Sequence, residues 1–209
     1  LMYYQQSLDY KKTDQKFQLD YSLEFKDQSR LGVSYNKQYI FLSNPFDPTR
    51  SNNAEPLPSQ LGYDFENMEL NYTSNYAQVF SYSAKLTYGT FFNGNRFSIS
   101  GNSTYRIQPL VVFSLLWDFN KIDLPKPYAS ADLILISPKI DLTLSKNFFW
   151  STLVQYSNQQ NNMGINSRIQ WRFAPLSDLY LVYNDTYNTG NMTPIFRSIN
   201  LKITYWINL

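Results

Sequence analysis

Ile199-Asn200-Leu201-Lys202-Ile203-Thr204-Tyr205-Trp206-Ile207-Asn208-Leu209 alternates with a period of two. The odd positions Ile199, Leu201, Ile203, Tyr205, Ile207 and Leu209 are apolar or aromatic, Asn200, Lys202, Thr204 and Asn208 are polar, and only Trp206 blurs the pattern. This is the periodicity of a strand with one apolar and one polar face. A strand of about ten residues is long enough to cross a bilayer with lipid on one side and water on the other. Residues 199–209 therefore read as the strand that closes a transmembrane β-barrel.

The same rhythm recurs upstream. Segment 178–187 sets Leu179, Leu181 and Tyr183 against Asn184; 164–173 sets Ile165, Ile169, Trp171 and Phe173 against Asn166, Arg168, Gln170 and Arg172; 148–157 sets Phe148, Trp150, Val154 and Tyr156 against Ser151 and Gln155. Further strands are predicted at 131–144, 110–120, 96–107 and 79–91, around Met68–Tyr72, Leu31–Tyr35 and Phe17–Phe25, with a partial one from Met2 to Tyr10. Pro138 is a blemish in segment 131–144, tolerable at a bulge. The run Leu110–Trp117 is apolar on both faces and suggests contact with a plug or packed interior. About twelve strands result, an even number as in bacterial outer-membrane barrels.

Connection lengths give an orientation, because periplasmic turns are short and extracellular loops long. With Leu209 periplasmic, the turns 174–177, 145–147, 107–109, 74–78 and 27–29 fall on its side. Loops 188–195, 158–163, 121–130 and 43–60 fall outside, with 93–95 as a short exception. The antiparallel all-β expectation is thus one outer-membrane domain over 1–209.

Composition agrees and narrows the function. The chain is 18% aromatic and 16% charged, with a net charge of +2 and a mean hydropathy of -0.41. A barrel wall averages a greasy face with a wet one, so a polar mean is expected. The small charge argues against nucleic-acid binding. With neither Cys nor His, thiolate chemistry, disulfides and Ser-His-Asp catalysis cannot be built within the chain. No apolar run approaches the 18 or so residues of a spanning helix. A soluble sandwich also alternates, but the strands are long for one, and Tyr and Trp gather near strand ends as in interfacial girdles. No enzyme activity, cofactor or metal is expected.

Three runs carry a resemblance: Ser137-Pro138-Lys139-Ile140-Asp141-Leu142, Phe149-Trp150-Ser151-Thr152-Leu153-Val154-Gln155-Tyr156, and Asn166 through Asn184 with its Gln170-Trp171-Arg172 and Val182-Tyr183-Asn184. Tyr72-Thr73-Ser74-Asn75, Gly89-Thr90-Phe91-Phe92-Asn93-Gly94 and Leu124-Pro125 add to it. From about Phe46 onward the chain resembles the C-terminal part of large Gram-negative outer-membrane proteins. Those proteins join a periplasmic carbohydrate-binding domain of the family-nine type to a barrel domain of unknown function. The resemblance implies that 1–209 is the C-terminal portion of a longer protein, with further domains and strands upstream of Leu1. It supplies no catalytic residues.

The candidate site residues are cations. Arg96, Arg106, Lys139, Arg168, Arg172 and Lys202, with Lys85, share the inferred lumen face and could form an anion-favouring constriction. The competing expectation, favoured here, is that they pair with Asp20, Glu24, Glu69 and Asp141. Tyr180, Tyr183 and Tyr187 could stack on sugars, although interfacial anchoring is the simpler role. Asp118, Asp178 and Asp185 could be imagined as glycosidase carboxylates, but no spacing brings two together. The terminal strand could also be gripped by the barrel-assembly machinery. The leading expectation is a passive, porin-like channel or envelope scaffold in the outer membrane, linked to glycan handling. The alternative is a non-catalytic accessory or anchoring subunit of a larger complex. Expected partners are outer-membrane lipid, the assembly machinery, and other outer-membrane proteins or glycans.

Overall fold

The computed structural model describes residues 2–6, 12–51, 54–159 and 161–207. It contains twelve strands: β1 (Met2–Gln6), β2 (Lys12–Glu24), β3 (Arg30–Leu42), β4 (Leu61–Thr73), β5 (Phe80–Phe91), β6 (Gly94–Ile107), β7 (Val111–Asp123), β8 (Ala131–Ser145), β9 (Phe148–Ser157), β10 (Asn162–Ala174), β11 (Ser177–Asn188) and β12 (Thr193–Thr204). They form one sheet in sequence order, each strand hydrogen-bonded to its chain neighbours, with β1 and β12 as end strands. The fold is all-β and antiparallel, as the alternation indicates.

Several boundaries move. The terminal strand begins earlier than expected, at Thr193, and ends at Thr204, so Tyr205 and Ile207 lie beyond it, while Asn208 and Leu209 fall outside the described residues. The cause is the partner strand. Thr204 pairs with Asp178, next to the first residue of β11, and beyond that point only Ser177 of β11 remains. The tail is tied down differently: the Trp206 amide donates to Ser177 Oγ at 3.1 Å, and the Tyr205 ring stacks on Phe173 at 6.3 Å and 2°. The expected loops 188–195 and 158–163 contract to 189–192 and 158–161. Polar residues such as Asn162, Asn188 and Thr193 continue the ladder, because backbone pairing needs no apolar side chain. Of the predicted Met2–Tyr10 strand, residues 7–10 lie outside the described residues. The β8–β9 ladder passes Pro138 without a bulge: Ile136↔Tyr156 and Lys139↔Leu153 keep one register across it, and the irregularity falls at Thr143/Ser145.

Packing divides the chain into two units, Leu1–Tyr76 with Tyr82–Gly101 and Asp118–Leu133, and Ala77–Ser81 with Asn102–Trp117 and Ile134–Leu209. In the first unit, register lines up side chains in rows across β2, β3, β4 and β5. Leu19–Tyr35–Met68–Tyr88 and Tyr21–Val33–Leu70–Leu86 are apolar; Asp20–Ser34–Glu69–Thr87 and Gln18–Asn36–Asn67–Gly89 are polar. Burial is inverted relative to a water-soluble sheet. Leu19, Tyr21, Met68 and Tyr88 are exposed, whereas Ser34, Asn36, Ser81 and Ser98 are buried. Among the described residues the buried apolar side chains are few, Leu57, Phe65, Ile122 and Leu124.

The second unit has similar apolar rows across β9, β10, β11 and β12, but its polar phase is exposed as well, at Asn166, Arg168, Arg172, Asn200 and Lys202. Phe148–Trp171–Leu179–Ile203 and Trp150–Ile169–Leu181–Leu201 form apolar rows, and Leu201 and Ile203 are exposed. On the same face the Trp150 Nε1 donates to Ser167 Oγ at 2.9 Å, and Thr152 shares a hydrogen bond with it, also at 2.9 Å. Polar atoms that face outward there are thus satisfied within the protein. Leu116, one of the doubly greasy run, is 44% exposed.

Candidate functional site

The polar face of the first unit encloses a hollow of about 410 Å³. Its lining alternates along every contributing strand: Lys16 and Gln18, Asn36 and Gln38, Asn67 and Glu69, Lys85 and Thr87, Arg96, Ser98 and Ser100, with Asp118 from β7. The period of two places all of them on one face. Its charges are largely answered in place. Lys85 Nζ lies 3.4 Å from Glu69 Oε2. Arg96 donates from Nε and Nη2 to Asn120 Oδ1 at 3.1 and 2.5 Å, and Asn120 in turn donates to Asp118.

A second hollow, about 270 Å³, adjoins it and shares Gln38, Asn67, Thr87 and Arg96. Here the lining turns aromatic, with Phe46, Phe65, Phe91 and Phe92. Ring centroids lie 5.7 Å apart for Phe46 and Phe92, 5.4 Å for Phe65 and Phe92, and 5.7 Å for Phe65 and Phe91. Such tilted and edge-on geometries suit the aromatic quadrupole. The Arg96 guanidinium stands 5.3 Å from the Phe91 ring centroid, within cation–π range.

Local chemistry explains how these rings converge. The β4–β5 ladder ends at Asn67↔Gly89. A Cβ on Gly89 would lie 2.2 Å from the Glu66 carbonyl oxygen and 2.4 Å from Asn67 Cα, so only glycine permits this approach. Beyond it the Thr90 hydroxyl substitutes for the ladder, accepting from the Glu66 amide at 2.8 Å and lying 3.2 Å from the Glu66 carbonyl oxygen. Phe92 then takes a left-handed φ of 52° in the two-residue turn to β6. Phe46 arrives from the long connection 43–60, which is internally built. Phe46 and Leu57 exchange backbone hydrogen bonds at 3.1 and 2.8 Å, the Asp47 carboxylate accepts from the Thr49 and Ser51 amides at 2.9 Å each, and Leu57 and Thr49 are fully buried.

Sequence reasoning missed this cleft. Its signal was present in the glycine-bracketed Gly89–Gly94 stretch, but Phe46 lies in a segment without rhythm.

The predicted cations are distributed between the units. Arg96 belongs to the first. In the second, Lys139, Arg168, Arg172 and Lys202 occupy neighbouring rows of one face: Lys139–Leu153–Asn166–Asn184–Ser198, Asp141–Ser151–Arg168–Val182–Asn200, Phe149–Gln170–Tyr180–Lys202 and Arg172–Asp178–Thr204. Lys139 pairs with Asp141 at 2.8 Å and Arg172 with Asp178 at 3.5 Å, while Arg106 donates to the Gln78 carbonyl and to Ser81. These partners neutralise much of the field a basic constriction would need. Of the four carboxylates proposed as partners, Glu69 and Asp141 take up that role, and Asp178, which was not among them, also does.

The three loop tyrosines do not act together. Tyr180 accepts from Gln170 Nε2 at 2.9 Å on the polar face, whereas Tyr183 and Tyr187 occupy the apolar phase and donate to Asp185 Oδ2. Asp185 is 1% exposed and lies in the row Val154–Ile165–Asp185–Arg197. Arg197 Nε donates to Asp185 Oδ2 at 2.8 Å. A carboxylate on the greasy phase is thus balanced by one guanidinium and two phenols. Asp178 and Asp185 are seven residues apart on one strand and so project to opposite faces. They do not form a catalytic pair.

No family model matches the sequence, and no curated protein matches it significantly. Among solved structures the chain is similar to the NanC porin in a rhombohedral crystal form, at 11% identity and a TM-score of 0.39 over 93% of this chain and 94% of that one. It is similar also to the KdgM porin, at 11% identity and a TM-score of 0.34 over 83% and 85%, and to the same porin in complex with disordered oligogalacturonate, at 10% and 0.34 over 82% and 84%. Superpositions this loose, with so few identities, leave activity and ligand to the residues of this chain.

Proposed function

We propose that this chain is the wall of an outer-membrane β-barrel whose polar face lines a passive channel for hydrophilic solutes, glycans among them. The inversion of burial carries this reading: in the first unit Leu19, Tyr21, Val33, Met68, Leu70, Leu86 and Tyr88 are exposed on one face while Ser34, Asn36 and Ser98 are buried on the other. An exposed apolar surface of this extent is unstable in water and is what lipid covers. Strands of ten to fifteen residues, β1 excepted, are long enough to cross a bilayer when tilted.

The long connection 43–60 belongs on the outer side and residues 205–207 on the periplasmic side. The upstream carbohydrate-binding domain of the longer family, and recognition of the last strand by the assembly machinery, belong to the same proposal. Reconstitution of the purified chain into planar lipid bilayers tests the channel directly. Discrete, voltage-driven conductance steps are expected, and protein that partitions into the membrane without passing ions would refute the open channel.

A further inference from the structure

The Phe-walled cleft is more apolar than a passive water-filled passage requires. We propose that it is a binding subsite for one neutral, polyhydroxylated six-membered ring, the unit of an uncharged oligosaccharide. The remainder of the chain would follow the adjoining polar hollow. The inference deepens the channel reading and rests on it.

Three observations specify the occupant. The cleft measures about 270 Å³, at the lower end of small-molecule sites, roughly 300 Å³; it has room for one ring rather than a chain. Its wall joins two chemistries. Phe46, Phe65, Phe91 and Phe92 offer apolar rings, and the side chains of Gln38, Asn67, Thr87 and Arg96 stand at the junction with the polar hollow. An aliphatic ligand would gain nothing from those polar groups, and a small ion would gain little from the rings. A sugar ring matches both, with polarised C–H bonds over the negative aromatic face and hydroxyls at its edge.

Charge decides between neutral and acidic units. The larger hollow is lined by Lys16, Lys85, Arg96, Glu69 and Asp118, one net positive charge. Lys85 is committed to Glu69, and Arg96 to the Asn120–Asp118 relay. A site tuned for anions would leave its guanidinium open to the ligand.

Titration calorimetry of the full chain in detergent with a neutral glucose tetrasaccharide and with a glucuronate-containing tetrasaccharide tests the subsite. Single-channel recording with both sugars tests its place in the passage. The neutral sugar is expected to bind and to interrupt the current of the native protein. Phe91→Ala and the apolar but ring-free Phe91→Leu should each weaken binding about tenfold, the scale of a lost stacking contact, while the remote Gly164→Ala should bind as the native chain does. Absence of calorimetric binding, unchanged binding in both Phe91 variants, or tighter binding of the acidic sugar would each overturn the subsite. Binding lost in the Phe91 variants of a protein that passes no current would uphold the subsite and refute the channel.

Discussion

Leu201 ends the apolar row Trp150–Ile169–Leu181–Leu201, on the end strand β12, and its replacement separates a lipid-facing surface from a wet one. Leu201→Ala removes three side-chain carbons. At about 0.8 kcal/mol each, scaled by the 62% of the residue that is exposed, the loss is about 1.5 kcal/mol if lipid covers that surface. Leu201→Arg should cost more, about 2–4 kcal/mol, the penalty for a cation near the bilayer midplane. The neighbouring Asn200→Arg, on the polar phase, should cost little. In water the expectation differs in kind, since truncating an exposed leucine changes stability by less than about 0.5 kcal/mol. Reversible denaturant unfolding in lipid vesicles, followed by fluorescence of the 4 Trp, measures all three. Equal and negligible effects of Leu201→Ala and Leu201→Arg in vesicle-bound protein would refute the lipid-facing assignment.

Gly89→Ala should cost about 1–3 kcal/mol, an overpacking penalty, because its Cβ would collide with the β4 backbone; Gly164→Ala, with nothing within 4 Å of the new Cβ, should be tolerated, and equal denaturation midpoints for the two would contradict this. Glu69→Gln should release Lys85 and move the reversal potential toward anion selectivity, and adding Lys85→Gln should restore it; an unmoved potential would show that the pair does not face the current. Arg197→Gln should lower the unfolding midpoint more than the double change Asp185→Asn with Arg197→Gln, because the single variant strands a buried carboxylate; the reverse order would argue against the ion pair. In the turn at 25–29, the Ser29 hydroxyl and amide donate to Asp27 Oδ1 at 2.7 and 3.1 Å and hold its carboxyl below the ordinary 3.8. A depressed folded value stabilises above the unfolded one and is lost as pH falls through it, so Asp27→Asn should lower stability at neutral pH, match the native chain in acid, and thereby flatten the acid limb of a stability profile below about pH 4.

Strand identity was legible because side-chain period and burial coincide: Phe17, Leu19, Tyr21 and Leu23 announce β2 and all stand exposed together. Strand ends were less legible, since Asn162, Asn188 and Thr193 join ladders through their backbones without contributing to the rhythm. The cation site was legible residue by residue but not in its partners. That Arg172 meets Asp178 depends on a register across β10 and β11, which alternation within one strand does not determine. The Phe cleft escaped for a related reason. It needs Gly89, two consecutive phenylalanines and a loop residue to converge, and none of these shares a period. Asp185 was visible as a carboxylate, but nothing local revealed that Tyr183, Tyr187 and Arg197 would enclose it on the apolar phase.

Every strand in the order from β1 to β12 pairs with its neighbours in the chain. The hairpin is therefore a nearly self-contained unit of addition: its backbone groups find partners close in sequence, so the entropy lost in closing each contact is small. Two consequences follow for the history of such a wall. Strands can be gained or lost two at a time by duplication or deletion of a hairpin without rerouting the rest, and the width of the sheet can change while its two faces keep the same alternating grammar.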